Sequence, residues 1–282
     1  MQLIADSGST KTDWRMLADD GSVGQARTVG FNPFYQSSEQ IAHELKLSLK
    51  PKVKELVTAI FFYGAGVTGA EKAQVIMDGL KDVFPEAEHI EAHSDMLGAA
   101  RALCGREKGI ACILGTGSNT CQIENGEITH KVDTLGFWLG DEGSGGYLGK
   151  TLVQTYLHKE LPQALHEKFE KRYPNLNRDV VLENAYQKPF PNRYFAGFSK
   201  FLFDNRTDAA AYQIAANAFG LFFEKYVQKY PDYSNYRVSL TGSVAFYYSD
   251  IIRRVAREKN ITIGVIMETP IAGLTLYHQG KS

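Results

Sequence analysis

Apolar and polar positions alternate along the chain in short blocks, and the blocks predict strands and helices in turn. Leu3-Ile4-Ala5 reads as an apolar strand that breaks at a small, hydroxyl-rich turn, Asp6-Ser7-Gly8-Ser9-Thr10-Lys11, and resumes as a second strand to Leu17. Asn32-Pro33 disfavours helix and predicts a loop over 30–34, after which Ser37-Ser38-Glu39 opens a helix to about Leu49. A buried strand over 55–63 runs into Gly64-Ala65-Gly66-Val67-Thr68-Gly69 and a helix to about Val83. Strand-like 89–92 leads through Ser94-Asp95 into a small-residue helix over 96–104. A second hairpin of the first design follows at 111–123, with Gly126 as a turn, and 136–146 is too rich in glycine for an element interior. The pattern is then helical over 147–182, interrupted at Pro162 and at 172–177, and helical again over 214–227 along a broad apolar face. A short strand at 237–240 ends in Thr241-Gly242-Ser243. A helix near 251–259, a strand at 261–266 and a helix over 271–278 complete the series. Such alternation predicts α/β layers.

At 282 residues the chain exceeds the usual size of one domain, and 44% hydrophobic content is ample for packed cores, so two domains are expected. The net charge of −1, with charges interspersed, leaves no footprint for a nucleic-acid backbone or an anionic membrane. Affinity for anions must come from a local site. No apolar run has the length of a membrane span, and the first residues enter a strand without a charged leader, so a cytoplasmic protein is expected. Cys104, Cys112 and Cys121 are odd in number and lack CxxC spacing, which supports neither a disulfide framework nor a zinc knuckle; Cys112 and Cys121 read as small core hydrophobes.

Two matching hairpins suggest two halves that grip one polyanion. Glycine lets backbone N–H groups approach a phosphate, hydroxyls add donors, and Asp6 at a strand end can hold Mg²⁺ directly or through water. The stretch 64–69 is formally GxGxxG with Glu91 about twenty residues on, the outline of a dinucleotide site. A complete hairpin and helix precede it, so a ligand-facing backbone loop is the better reading. Residues 145–151 resemble the end of a Walker A loop, but the first required glycine falls on Ser144 and no buried strand precedes it. The P-loop is rejected, and Lys150 reads as a solvated residue early in a helix. His89, His93 and Asp95 lack a recognised metal spacing and read as ordinary strand-end residues. Asp95 nevertheless stands where a strand ends and a helix begins, and both a helix cap and a general base are open to it. Gly140-Asp141-Glu142-Gly143-Ser144 can be a solvated turn. Trp138 beside two carboxylates among glycines suits a sugar or other polyol better.

Taken as a set, these segments resemble the N-acetylglucosamine kinase and BadF-BadG-BcrA-BcrD ATPase family of the sugar kinase, Hsp70 and actin superfamily, over nearly the whole chain. The likeness rests on 6–14 as a first phosphate loop, Gly30-Phe31-Asn32 as a sugar loop and Ser94-Asp95 as the catalytic junction. It rests further on 115–119 as a second phosphate loop, 140–144 as a second sugar loop and 240–243 as an adenosine-side turn. The resemblance implies an α/β fold of two ribonuclease-H-like (actin-like ATPase) domains around a central cleft. One would hold residues 1–108 and a returning segment 270–282, the other residues 109–269. It also implies ATP and Mg²⁺ as cofactors, with Asp6, Gly8, Ser9, Thr10, Lys11, Gly115, Thr116, Gly242 and Ser243 on the nucleotide and Asp6 on the metal. Asp95 would take the proton of the sugar 6-hydroxyl as it attacks the γ-phosphoryl group in line. Asn32, Gly64, Asp95, Gly117, Ser118, Asn119, Trp138, Asp141 and Ser144 would line the amino sugar, although relatives often carry serine where Gly64 stands. A homodimer is compatible with the resemblance alone.

The expected reaction is ATP-dependent phosphorylation of an amino sugar, N-acetylglucosamine to its 6-phosphate, with N-acetylmuramate or glucosamine as alternative acceptors. A BadF-type ATPase that activates a dehydratase shares the nucleotide loops but needs exposed, suitably spaced cysteines for its cluster, which this chain does not offer. A nucleotide-binding regulator without catalysis would have no use for Asp95, and no DNA-binding module is appended.

Overall fold

The computed structural model describes residues 1–8 and 10–280, so Ser9 lies outside the described residues. It divides into two compact units. Unit 1 holds Met1–Glu107, the hairpin tip Asn125–Ile128 and the described segment from Pro270; unit 2 holds Lys108–Glu124 and Thr129–Thr269.

Unit 1 is built on a five-stranded sheet of order β3-β2-β1-β4-β5. Strands β1 (Gln2–Ser7), β2 (Lys11–Leu17) and β3 (Val23–Val29) form an antiparallel meander; β4 (Ala59–Gly64) and β5 (His89–Ser94) run parallel to β1. The pleat sends alternate residues to opposite faces. Leu3, Ala5, Ile60 and Phe62 join the core made with α1 (Ser38–Ser48) and α2 (Ala70–Val83). Ile4 and Tyr63 pack instead with α3 (Asp95–Cys104) and the last helix, α13 (Ile271–His278). The apolar pattern does not announce β3, because this edge strand carries Gly24, Gln25, Arg27 and Thr28 and buries only Thr28. A capping box between Ser37 and Gln40 starts α1 at the expected place.

Unit 2 repeats the topology, with order β10-β9-β6-β7-β8. Strands β6 (Gly109–Leu114) and β7 (Ser118–Glu124) form the second hairpin and β8 (Glu127–His130) follows. β9 (Val238–Thr241) is parallel to β6, and β10 (Ile263–Met267) is parallel to β9. Between β8 and β9 lie α4 (Gly136–Leu139), α5 (Gly145–Leu157), α6 (Gln163–Arg172), α7 (Arg178–Tyr186), α8 (Pro191–Ala196), α9 (Ser199–Asp204) and α10 (Ala209–Lys225); α11 (Ser243–Tyr247) and α12 (Ser249–Glu258) follow β9. The core is aromatic: Phe169, Phe195, Phe198, Phe201, Phe219, Phe222 and Phe223 are all buried in it. The stretch 136–146 is not a loop throughout, as its glycines suggest. It contains α4 and the first two residues of α5, because Ser144 caps that helix by accepting from Tyr147 N at 3.1 Å. Among the described residues no helix is long and apolar enough to cross a membrane.

Candidate active site

In unit 1 the register decides the geometry. Ser7 pairs with Gly64 and Gly64 with Ser94, so the C-terminal ends of three parallel strands stand in one row. Each end opens into a segment singled out in the sequence, and this edge is where an open α/β sheet presents its chemistry. Asp95 is the first residue of α3. The cap is Ser94, whose Oγ accepts from Leu97 N at 3.3 Å, so the helix does not need Asp95 for that task; Asp95 Oδ1 accepts from Met96 N at 2.8 Å. Asp6 is pushed up to about 7, first by burial and then by the carboxylates of Asp13 and Asp95, with Lys11 opposing.

The side chains around the first turn are tied to one another. Lys11 does not reach out alone: its Nζ lies 2.9 Å from Asp13, which also accepts from Arg27 at 2.8 Å. Burial acts to raise the Asp13 carboxyl, but these two cations outweigh it and hold it below the usual range. The Gly8 N–H closes the turn onto Lys11 O at 3.0 Å, and the exposed Thr10 accepts through its carbonyl from Gly30 N at 3.1 Å. Fully buried Ser7 hydrogen-bonds Thr12 Oγ1 at 2.8 Å and accepts from Phe31 N at 3.0 Å. Turn and sugar loop are thereby one assembly. Asn32 accepts from Phe34 N at 2.9 Å and faces Gly66, where φ is +88° and a Cβ would stand 2.5 Å from Asn32 Oδ1. At Gly64 a Cβ would meet the buried Phe62 ring at 2.5 Å, so a side chain there would force that ring to move.

In unit 2 the β6–β7 turn sits on the start of α5. Gly145 N and Gly146 N donate to Gly115 O (2.8 Å) and Thr116 O (3.0 Å), while Gly115 N donates to Gly117 O (3.0 Å). Asp141, in the left-handed region at φ +59°, accepts from Ser118 N at 3.3 Å, and its Oδ2 is the atom a Cβ on Gly117 would meet at 3.0 Å. Burial and the neighbouring Glu142 charge raise the Asp141 carboxyl against the Ser118 hydrogen bond. Asn119 accepts from Thr120 N at 3.0 Å. The buried Ser118 Oγ and Thr241 Oγ1 have no hydrogen-bond partner among the described residues. Gly242 has φ +115°, and a Cβ there would lie 2.3 Å from Leu114 O, so only glycine lets β9 turn against the end of β6. Ser243 follows it and borders a cavity of about 340 Å³ lined also by Lys200, Phe203, Tyr247 and Tyr248.

Two sequence readings change. Glu142 does not face a ligand: it is 3% exposed, paired with Lys225 Nζ and accepting from Tyr226 Oη at 2.5 Å. Lys150 is not solvated; its Nζ donates to Phe137 O at 2.8 Å, and burial lowers its pKa. Trp138 is 49% exposed, with its ring parallel to that of Tyr186 and the centroids 5.5 Å apart. Sequence reasoning missed Lys225 and Tyr226, which stand more than eighty residues from their partner in a helix with no local motif. It placed Ser7 in the hydroxyl-rich turn, whereas the structure makes it the fully buried last residue of β1. Burial pushes the Cys104 thiol up to about 12, and Cys112 and Cys121 are buried strand residues, an unsuitable set for a cluster between subunits.

No family model and no curated protein matches the chain. Among solved structures, a protein of Porphyromonas gingivalis described as a putative N-acetylglucosamine kinase is 40% identical, with 99% of each chain covered and a TM-score of 0.91. A protein of Chromobacterium violaceum with the same description is 17% identical over 98% of each chain, with a TM-score of 0.71. A ROK family glucokinase of Streptomyces griseus in complex with glucose and AMPPNP is 14% identical over 99% of this chain and 98% of its own, with a TM-score of 0.52. The last two share the fold: two α/β units of the actin-like ATPase kind. Identity of 40% across 99% of the chain goes further than fold, and the chain belongs to the N-acetylglucosamine kinase family.

Proposed function

We propose that the chain is an ATP-dependent kinase of an amino sugar, with N-acetylglucosamine as the acceptor and its 6-phosphate as the product. The observation that carries this reading is the row of strand ends in unit 1, which brings Asp95 near enough to Asp6 for its charge to act there. Asp95 is the general base. It accepts the proton of the sugar hydroxyl while that oxygen bonds to the γ-phosphorus, and the bond to the bridging oxygen breaks with its electron pair leaving on ADP. Asp6 would hold Mg²⁺, which supplies neutralisation of the phosphate charge. A half-buried carboxylate raised by desolvation and by two other carboxylates is relieved by a cation, and one oxygen ligand suits an ion that draws the rest of its shell from phosphates and water. Among the described residues no group of three or more His, Cys, Asp or Glu is arranged to hold a metal by itself.

For the nucleotide, Gly8 and Lys11 in unit 1 and Gly115 and Thr116 in unit 2 would bring backbone close to phosphate, and the Thr241 hydroxyl, without a hydrogen-bond partner among the described residues, would be a further donor. The aromatic cavity beside Gly242 and Ser243 has the size and lining for adenine. The candidates for acceptor contacts are Asn32 and Gly64 in unit 1 and Gly117, Ser118, Asn119, Trp138, Asp141 and Ser144 in unit 2, taken from the family resemblance. The test is ADP release from ATP·Mg²⁺ against N-acetylglucosamine, N-acetylmuramate, glucosamine, N-acetylmannosamine and glucose, with an acceptor-free control. We expect turnover with N-acetylglucosamine above the others; hydrolysis independent of acceptor, or none, overturns the reading.

A further inference from the structure

Asp141 and Glu142 are neighbours in sequence, yet the fold gives their carboxylates different hydrogen-bond partners. Glu142 is buried, which is costly for a charge unless donors replace its water. Two donors from the end of α10 do so: Lys225 Nζ on Oε1 and Tyr226 Oη on Oε2. Burial acts to raise the Glu142 carboxyl, but these partners prevail and hold it below the usual range, while burial and the facing carboxylate push the Tyr226 phenol up. The backbone is shaped for this contact. A Cβ on Gly140 would stand 2.9 Å from Tyr226 Oη, and one on Gly143, at φ +78°, would stand 2.9 Å from Phe222 Cβ. Glycines on both sides of the acidic pair thus let the loop lie directly on α10. With Glu142 drawn to α10, Asp141 is left in the left-handed region with its carboxylate on the β6–β7 turn, at Ser118 N and beside Gly117.

We propose that Glu142, Lys225 and Tyr226 form a positioning clamp that aims the Asp141 carboxylate and the β6–β7 turn at the acceptor sugar, without any of the three touching substrate. This rests on the kinase reading above. The clamp acts through Asp141, so its loss should weaken the sugar more than the nucleotide.

The experiment compares steady-state kinetics of the wild type, Glu142→Gln, Tyr226→Phe and Asp141→Asn, together with the double variant Asp141→Asn/Glu142→Gln and the melting temperature of each. Loss of the clamp should raise the KM for the amino sugar about tenfold, with the KM for ATP changed less than about twofold. In the Asp141→Asn background the same Glu142→Gln change should add nothing to the sugar KM, because coupled residues are non-additive. A fall in melting temperature with both KM values unchanged would overturn the clamp and leave a purely structural ion pair. Equal effects on both KM values, or additive effects in the double variant, would overturn it as well. Absence of turnover in the wild type would instead strike down the kinase reading, and the clamp's role in it.

Discussion

Asp95→Asn replaces one oxygen by an amide nitrogen and leaves the Ser94 cap on α3 in place, so the helix should form as before. The proton acceptor is lost. We expect kcat to fall by about 10²- to 10⁴-fold while ATP affinity, measured by calorimetric titration, stays the same. A parallel loss of ATP binding would mean that the carboxylate serves the nucleotide instead. At this scale, what the sequence made legible was local: Asp6, Asp95 and Asp141 each stand at a strand end or a glycine turn, and the chain advertises such positions. Partnership was not legible. Lys11 has the look of a phosphate contact, but the two-residue repeat of β2 puts it on the same face as Asp13, which pairs with it, and Glu142 finds its donors at the end of a distant helix.

Elements were readable where one face is apolar and obscure where it is not. The helices α1, α2, α3 and α13 fall where the periodicity puts them. β3 and α4 do not show, because an edge strand needs few apolar residues and a one-turn helix has no period to detect. Backbone constraints at element junctions carry a prediction. Gly242→Ala forces a side chain at φ +115° against Leu114 O, which should cost about 3 kcal/mol and lower the melting temperature by roughly 5–10 °C. Gly115→Ala, with nothing within 4 Å of the new methyl, should leave the melting temperature unchanged; equal losses would refute the steric account.

The last helix carries a pH dependence of its own. His278 Nε2 lies 2.9 Å from Tyr63 Oη and its ring stacks on Phe61, and burial followed by the Arg101 charge pushes its pKa down from 6.5 to about 4. Between those values the unfolded chain binds a proton that the folded chain refuses, so stability is full above pH 6.5 and declines as pH falls toward 4. A wild-type melting temperature that falls more steeply over that window than in His278→Gln is the expected result, and matching slopes would refute it.

Across the whole molecule, the two sheets have the same plan: a three-strand succession, then two parallel strands added on the far side of its first strand. Only the repeated hairpins hinted at this in the sequence. The shared plan constrains where strands go and leaves side chains free, so unit 1 packs mainly with aliphatic residues around Trp14, Phe31, Phe62 and Phe84 and unit 2 with a cluster of phenylalanines. The thiols are distributed so that each unit has its own: Cys104 ends α3 in unit 1, and Cys112 and Cys121 lie on β6 and β7 in unit 2. Packed as they are, they should resist an alkylating reagent at neutral pH for far longer than in the denatured chain, and rapid labelling of the native protein would contradict the packing. The chain therefore carries its own clock for opening. The rate at which each cysteine gains mass, read peptide by peptide with and without nucleotide, times the excursions of each half separately, with no dye, tag or substitution introduced.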